Sequence, residues 1–471
     1  MDISGGQSGV TLKRLKVALD HSMHSPFKSI TIPRIGFALI AALYFVWPIP
    51  HTITLRFVLL GATLLYFGLL VRGRCGDFRG NRQITLLVTL YLALSAWIVM
   101  NALLISPEPA WALGEIQGQW GNAALSLVAG ILISAAVQRR LISAPGAITA
   151  ILAALAVHTL YLDASSLHAW LTKGLLLRRA EGLTEGPDKS NYLTIAFLGF
   201  LFSEAYYRSV RRSRFVPVNR WVLGGMIVLG LLAFYLEEMR NGLAPIILVL
   251  VSFLVLYIID RKHKIKSGRV VRNVVLLACL AGAFGLFIIK SDPRWHNIEA
   301  SAKLAWQTQD NSAWLNGDPA HQQKWLPDGH PVEVSTYLRT VMLKEGLQIV
   351  AAHPLGVGYG RNAFGHALKA KYGQGNGHSH SGLLDLAIGV GIPGVVLWLA
   401  LLGYVAYVGA AAFLRRDSYP GLALLALVIT FGVRMIFDSV IRDHMLQQFL
   451  FTAALLATLA LPSRTLESEP V

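Results

Sequence analysis

The chain has 471 residues, of which 54% are hydrophobic and only 14% charged, and its mean hydropathy is +0.52. That is too apolar and too poor in charge for a soluble globular protein, so the composition describes a polytopic membrane protein. A formal net charge of +16 would point to nucleic acid in a soluble chain, but here Lys and Arg fall in short clusters between apolar runs, as cytoplasmic loops require, and no nucleic-acid partner is expected.

Residues 1–33 are polar and basic ("TLKRLKVALDHSMHSPFKS"), and no small-residue cleavage site follows the first apolar run, so no cleavable signal peptide is expected. This segment reads either as an amphipathic helix on the inner membrane face or as disorder. A span needs about 20 apolar residues, and the pattern predicts an all-α protein with twelve of them. They cover 34–49, 53–71, 84–104, 123–137, 145–162, 190–207, 221–238, 243–260, 273–290, 383–413, 419–438 and 445–461. Residues 34–290 thus carry spans one to nine, 383–461 spans ten to twelve, and 462–471 a cytoplasmic tail.

Charge sets the orientation. With the amino terminus inside, internal loops carry Arg72, Arg74, Arg79 and Arg82, then Arg139 and Arg140, then "YRSVRRSRFVPVNR", "DRKHKIKSGRVVR", and Arg415 with Arg416. The external connection at 105–122, "ISPEPAWALGEIQGQWGN", has no cation, so both termini are placed in the cytoplasm, in agreement with an even number of spans. Cys75 sits in a basic loop and Cys279 inside an apolar segment, at different depths, which rules out a disulfide framework.

The connection at 291–382 is different in kind: it is external, long, and carries Trp295, Trp306, Trp314 and Trp325. Loops of this length are usually functional or disordered, and this composition argues for order. Within it, "VEVSTYLRTVMLKEGLQIVAAHP" has helical periodicity with no breaker before Pro354, predicting a helix over 333–352. The next run, "HPLGVGYGRN" (353–362), lacks the strand and the Lys of a phosphate loop and reads as tight turns. Elsewhere there is no GxxxxGK[ST], no HExxH or paired-cysteine site and no GxSxG, so nucleotide-driven transport and metal-dependent hydrolysis lose support.

Several ionisable residues stand near external span ends. Arg178 and Arg179 lie in "LLLRRAEGLTEGPDKSN", where the plain alternative is an interfacial lip. Arg240 falls in the shortest external turn, "EEMRNG", where the orientation rule would not place a cation; its plain alternative is pairing with Glu237 or Glu238. Arg339 is on the loop helix, where an exposed cation is ordinarily just solvated. His378 and His380 stand directly before an apolar run in "GNGHSHSGLLDLAIGVGIPG". The positive end of a helix dipole and nearby arginines would both lower a histidine pKa there, leaving a neutral imidazole able to take a proton from a hydroxyl. The alternative is a capping or interfacial histidine, more so for His378. If the ligand is a lipid-linked diphosphate, guanidinium groups suit it, since they offer paired donors and remain charged. A diphosphate leaves readily once its developing charge is neutralised.

Together these stretches resemble the O-antigen ligase family. In "HSHSGLLDLAIGVGIPG", His380, Ser381, Gly391 and Gly394 fit the family's histidine motif. "STYLRTVMLKEGLQIVAAHPLGVGYGRNAF" is similar to its Arg-bearing helix and following turn, giving Arg339, Pro354, Gly356, Gly358, Gly360 and Phe364. "MRNGLAP" resembles the short element that places Arg240, with Met239 in place of the usual Ser, and "RRAEGLTEGPDKSNYLT" resembles a further stretch, with "DKS" intruding between Pro187 and Asn191.

The resemblance implies a GT-C-like, all-helical membrane glycosyltransferase that uses a polyprenyl diphosphate donor without metal or cofactor. It implies an O-antigen ligase of the bacterial inner membrane, with undecaprenyl-diphosphate-linked O-antigen as donor, lipid A core as acceptor, and the site on the periplasmic side. His380 would be the base and Arg240 and Arg339 the diphosphate ligands, with Arg178, Arg179, His378 and Ser381 contacting substrate. Asp385 lies too far around a helix to orient His380 directly, and the loop tryptophans are placed to stack on sugars. An O-antigen polymerase or a protein O-oligosaccharyltransferase would use the same residues. A polyprenyl-linked glycan transporter, a different class, should show repeated halves and paired broken helices; no clear pair is visible.

Overall fold

The computed structural model describes residues 26–72, 81–260, 297–309, 325–373 and 377–461, with scattered positions between 275 and 295 and Gly375. The leading segment through residue 25, Cys75, Trp314, half of the ninth expected span and the carboxyl-terminal tail lie outside the described residues. Among the described residues the chain is all-helical, without strands, with one isolated bridge between Trp325 and Pro331.

The helices run α1 Pro26–Val46, α2 Ile53–Leu70, α3 Arg82–Leu104, α4 Pro109–Glu115, α5 Gly121–Gln138, α6 Ala144–Lys173, α7 Pro187–Arg211, α8 Arg220–Glu237 and α9 Leu243–Ile259. Then come α10 Ile298–Gln307, α11 Val334–Ala352, α12 Ala363–Tyr372, α13 Gly382–Arg416, α14 Tyr419–Phe437 and α15 Asp443–Ala460. Several begin on side chains that take orphan N–H groups. Asn81 accepts from Gln83 and Ile84, Asn219 from Trp221 and Val222, and Glu333 from Thr336. The loop helix α11 thus starts and ends within a residue of its expected bounds.

Among the described residues, eight segments are long and apolar enough to cross a membrane: α2, α3, Pro109–Gln138 (α4 and α5 joined by a wide turn), α6, α8, Arg240–Ile259, α13 and α14. The chain is a multi-pass helical membrane protein. Of the other four expected spans, the apolar part of α1 is short (Ile32–Val46) and half of the ninth lies outside the described residues. The remaining two, α7 and α15, are long enough but less apolar, and the reason is their position. Ser190 to Leu201 of α7 are buried without interruption, and α15 is buried along most of its length. Helices that meet lipid must be apolar on that face, whereas helices enclosed by protein carry polar groups that pair with one another. At the other extreme, only 17% of α2 is buried, against 72% of α14.

Around this centre α15 packs along α5 and α14, α13 along α14 and α3, and α1 along α6. The loop is tied down by its own small core, in which Val341, Met342 and Ile349 of α11 meet Phe364 and Leu368 of α12 and Leu384 and Ile388 of α13.

One feature of α13 shapes the site end of the molecule. Pro393 has no N–H for the Gly389 carbonyl four residues earlier, and the helix breaks at Gly391 (φ 68°, ψ −177°). The freed groups bond with the turn after α11. Val357 N–H donates to the Ile388 carbonyl and Gly358 N–H to that of Gly389, both at 2.9 Å, while Ile392 N–H donates to the Pro354 carbonyl at 2.9 Å. From α3, Trp97 Nε1 donates to the Val390 carbonyl (2.7 Å) and Asn101 Nδ2 to that of Leu355 (2.6 Å). The backbones approach so closely that a Cβ on Gly391 would fall 2.3 Å from the carbonyl carbon of Leu355, and one on Gly356 would fall 2.5 Å from the Gly389 oxygen. The glycine-rich run is therefore a set of turns locked to a broken helix, with N–H groups of Val357 and Gly358 already given to carbonyls.

Candidate functional site

The two histidines occupy a turn just ahead of α13. Ser381 caps the helix: its Oγ accepts from Leu384 N–H (3.3 Å) and donates to the Met435 carbonyl (3.4 Å). His380 itself has left-handed backbone (φ 57°), which a non-glycine residue holds only when its surroundings over-determine it. Ser379 does much of that, since its Oγ donates to the Ser381 carbonyl (3.0 Å) and accepts from Ser381 N–H (3.2 Å). Asp385, one turn into α13, accepts from Ser379 N–H (2.9 Å) and from Ser439 Oγ (2.5 Å). It therefore steadies the turn through the residue before His380. The two imidazole rings lie 4.4 Å apart, centre to centre.

Burial is the largest cause holding the His380 pKa below the ordinary histidine value; Arg339 and Arg442 push it the same way, against Asp438 and Asp188. His378 is driven further, to about 4, by burial and by His380, Arg442 and Arg339, with Asp438 opposing. The direction is the one the sequence suggests, but its largest cause, enclosure, is not among the causes named there, because it depends on packing that a linear pattern does not contain.

Both arginines of interest reach this turn's surroundings from other elements. Arg339, on α11, donates through Nη1 to the carbonyl of Phe437 (2.9 Å), one of the carbonyls left open at the end of α14. Burial lowers its pKa; Asp438 and Glu333 favour its charge, and Arg240 and Arg434 oppose it. Arg240 opens the turn before α9, with Nη2 3.0 Å from Glu333 Oε1 and its guanidinium 5.9 Å from the Trp295 ring centre. Glu333 is thus both the cap of α11 and the partner of Arg240. The partners that the plain alternative offered Arg240 have other partners: Glu237 accepts from Ser190, Asn191 and Thr194, and Glu238 lies 3.4 Å from Arg178.

His378, His380, Arg240, Arg339 and Ser381 are therefore brought into one neighbourhood. Arg178 and Arg179 are not buried in it: the Arg178 side chain is 64% exposed in its pair with Glu238, and Arg179 is exposed with left-handed backbone.

Sequence reasoning missed the network beneath. Arg434 of α14, fully enclosed, donates to Asn191 Oδ1 (2.6 Å), to the Asp188 carbonyl (2.6 Å) and to Asp438 Oδ2 (2.9 Å). Asn191 donates onward to Glu237 (2.6 Å), and Asn241, next to Arg240, donates to Asp438 (3.3 Å). The network joins α7, α8 and α14 to the Arg240 turn. A signal was present in "FGVRMIFDS": an arginine inside an apolar run with an acid four residues on is a pair that a membrane interior tolerates only for a purpose. Among the described residues no group of three or more His, Cys, Asp or Glu is placed to hold a metal ion.

No curated protein sequence matches the chain. Residues 225–399, a stretch that contains Arg240, Arg339, both histidines and the break in α13 and stops short of α14 and α15, match the family model described as O-antigen ligase.

Proposed function

We propose that this protein is an O-antigen ligase of the bacterial inner membrane, transferring polysaccharide from undecaprenyl diphosphate to a sugar hydroxyl of the lipid A core on the periplasmic side. In this reading the membrane is crossed twelve times with both termini in the cytoplasm, and the 291–382 loop covers the donor's first sugar. Arg240 and Arg339 bind the diphosphate, and exposed Arg178 and Arg179 line its approach. The acceptor oxygen attacks the anomeric carbon from the face opposite the diphosphate. The new carbon–oxygen bond forms as the bond to the diphosphate oxygen breaks, the configuration inverts, and the acceptor's proton passes to a ring nitrogen of His380. The electron pair departs with undecaprenyl diphosphate, its charge met by the two guanidinium groups.

The observation that carries this reading is the convergence, inside a matched O-antigen ligase segment, of a half-buried His380, its pKa held down, with arginines from two separate elements. The deciding experiment assays transfer from purified lipid-linked glycan to lipid A core. His380→Ala should keep donor binding while losing transfer, and Arg339→Ala should weaken both. Full transfer in both variants would end the assignment. Movement of the lipid-linked glycan without a new glycosidic bond would favour a transporter instead.

A further inference from the structure

A cavity lies between α2, the start of α5 and α15, with the polar side chains of Arg56, Asn122, Arg361, Asp443, His444 and Gln447 in its walls. It shares Gln119 and Arg361 with a smaller cleft whose walls include Asp385, the residue that accepts from Ser379 in the histidine turn.

Its cations are already engaged by the protein. Arg361 donates through Nε and Nη2 to the two oxygens of Glu115 (2.9 Å each) and through Nη1 to Asp443 (3.4 Å). Arg56 donates to Thr52 Oγ1 (3.1 Å) and to the Ile49 carbonyl (2.5 Å). A site built for an anion would leave such groups open. Beside them stand neutral groups with unused hydrogen-bonding capacity. His444 is 3% exposed, and among the described residues its Nε2 has no hydrogen-bond partner, a costly arrangement unless something enters the cavity to meet it. Gln447 accepts from Trp47 Nε1 with its oxygen (2.9 Å), and its amide nitrogen is left for the cavity; Asn122 uses its nitrogen on the Gly118 carbonyl, and its oxygen is left. Donors and acceptors of this neutral kind, set side by side, match hydroxyl groups, each of which both gives and takes a hydrogen bond. The cavity's outer edge is apolar: Ile53 and Phe57 of α2 line it and are largely exposed on the surface that a membrane would cover.

We infer that this cavity is a subsite for a neutral sugar unit carried on a lipid, holding the acceptor glycolipid's headgroup within reach of the His380 turn. The acceptor role rests on the glycosyl-transfer reading; the sugar specificity rests on the cavity alone.

The test uses the full chain in bilayer discs and an alkyl maltoside with a photoreactive tail as probe, with labelled residues located by mass spectrometry. Labelling is expected on α2 and α15, competed by unlabelled alkyl maltoside and not by an alkyl phosphate of equal chain length. Gln447→Leu should cut labelling about tenfold, the loss expected for one buried hydrogen bond. Asn122→Leu, at a partly exposed position and so safer for folding, should do the same, while His380→Ala should label like the parent. Undiminished labelling in both cavity variants, or competition by the alkyl phosphate, overturns the inference whatever the transfer assay shows. Intact, variant-sensitive labelling in a protein that forms no glycosidic bond upholds the sugar subsite and removes only the glycosyl-transfer reading.

Discussion

Arg240 and Glu333 meet at 3.0 Å, although 93 residues separate them in the chain, and this contact joins the turn before α9 to the first turn of the loop helix. Burial alone would raise the Glu333 pKa, but the bonds from Thr336 and the charge of Arg240 outweigh it and hold the carboxyl below the usual glutamate range. A depressed carboxylate stabilises the fold at pH above that range, and this contribution is lost as pH falls through the folded value. Glu333→Ala should therefore cost about 1 kcal/mol for the lost cap alone. The thermal midpoint in detergent should drop at pH 7, and the gap between variant and parent should close as the solution is acidified. A gap that widens on acidification would contradict the assignment.

The histidine turn makes a prediction about pH and rate. With its pKa held down, His380 remains a neutral base through the neutral range, so kcat/KM for transfer should be flat there and fall on the acid side below the ordinary histidine value. Arg339→Met removes one of the charges that push the pKa down and should move that acid limb to higher pH. Because burial is the larger cause, the limb should still stay below the ordinary value. His380→Ala should lower the rate by roughly 10²- to 10⁴-fold, the usual worth of a general base. An acid limb that does not move in Arg339→Met would separate the two residues.

Arg434 and Asp438 offer a stability test. Removing one member of a buried pair leaves the other charge uncompensated, which costs about 3–5 kcal/mol. Arg434→Met should accordingly fold poorly, because Asp438 and Asn191 lose their shared donor. Combining it with Asp438→Leu should recover part of the loss, read as yield of monodisperse protein and as thermal midpoint. No recovery would mean that Arg434 acts chiefly through Asn191 and the Asp188 carbonyl.

At the break in α13, Gly391→Ala faces both a left-handed backbone, costing about 1–3 kcal/mol, and a Cβ too close to Leu355. It should unseat the turn after α11 and disturb Arg339 and His380 from opposite ends. Pro393→Ala is subtler, since it restores an N–H that competes with Gly358 for the Gly389 carbonyl. Hydrogen exchange at Val357 and Gly358 should quicken in both variants; unchanged protection would show that the turn is held by α3 alone.

The membrane class, the positions of most helices and the loop helix at Val334–Ala352 were legible in the chain because they rest on local quantities: runs of apolar residues, caps and breakers. Arg240 and His380 stood out for a similar reason, as ionisable groups where the local pattern has no use for them, whereas Arg339 reads locally as a solvated cation and was singled out by the family resemblance. The enclosure that lowers the His380 pKa, the choice of Glu333 over Glu237 as partner for Arg240, and the Arg434–Asn191–Glu237 network were decided only by the tertiary structure. Each depends on distances between segments tens to hundreds of residues apart. In a helical bundle those distances follow from which faces pack together, and hydropathy along the chain does not specify them. The same is true of α7 and α15, whose modest apolarity becomes intelligible once they are seen at the centre, with protein in place of lipid around them.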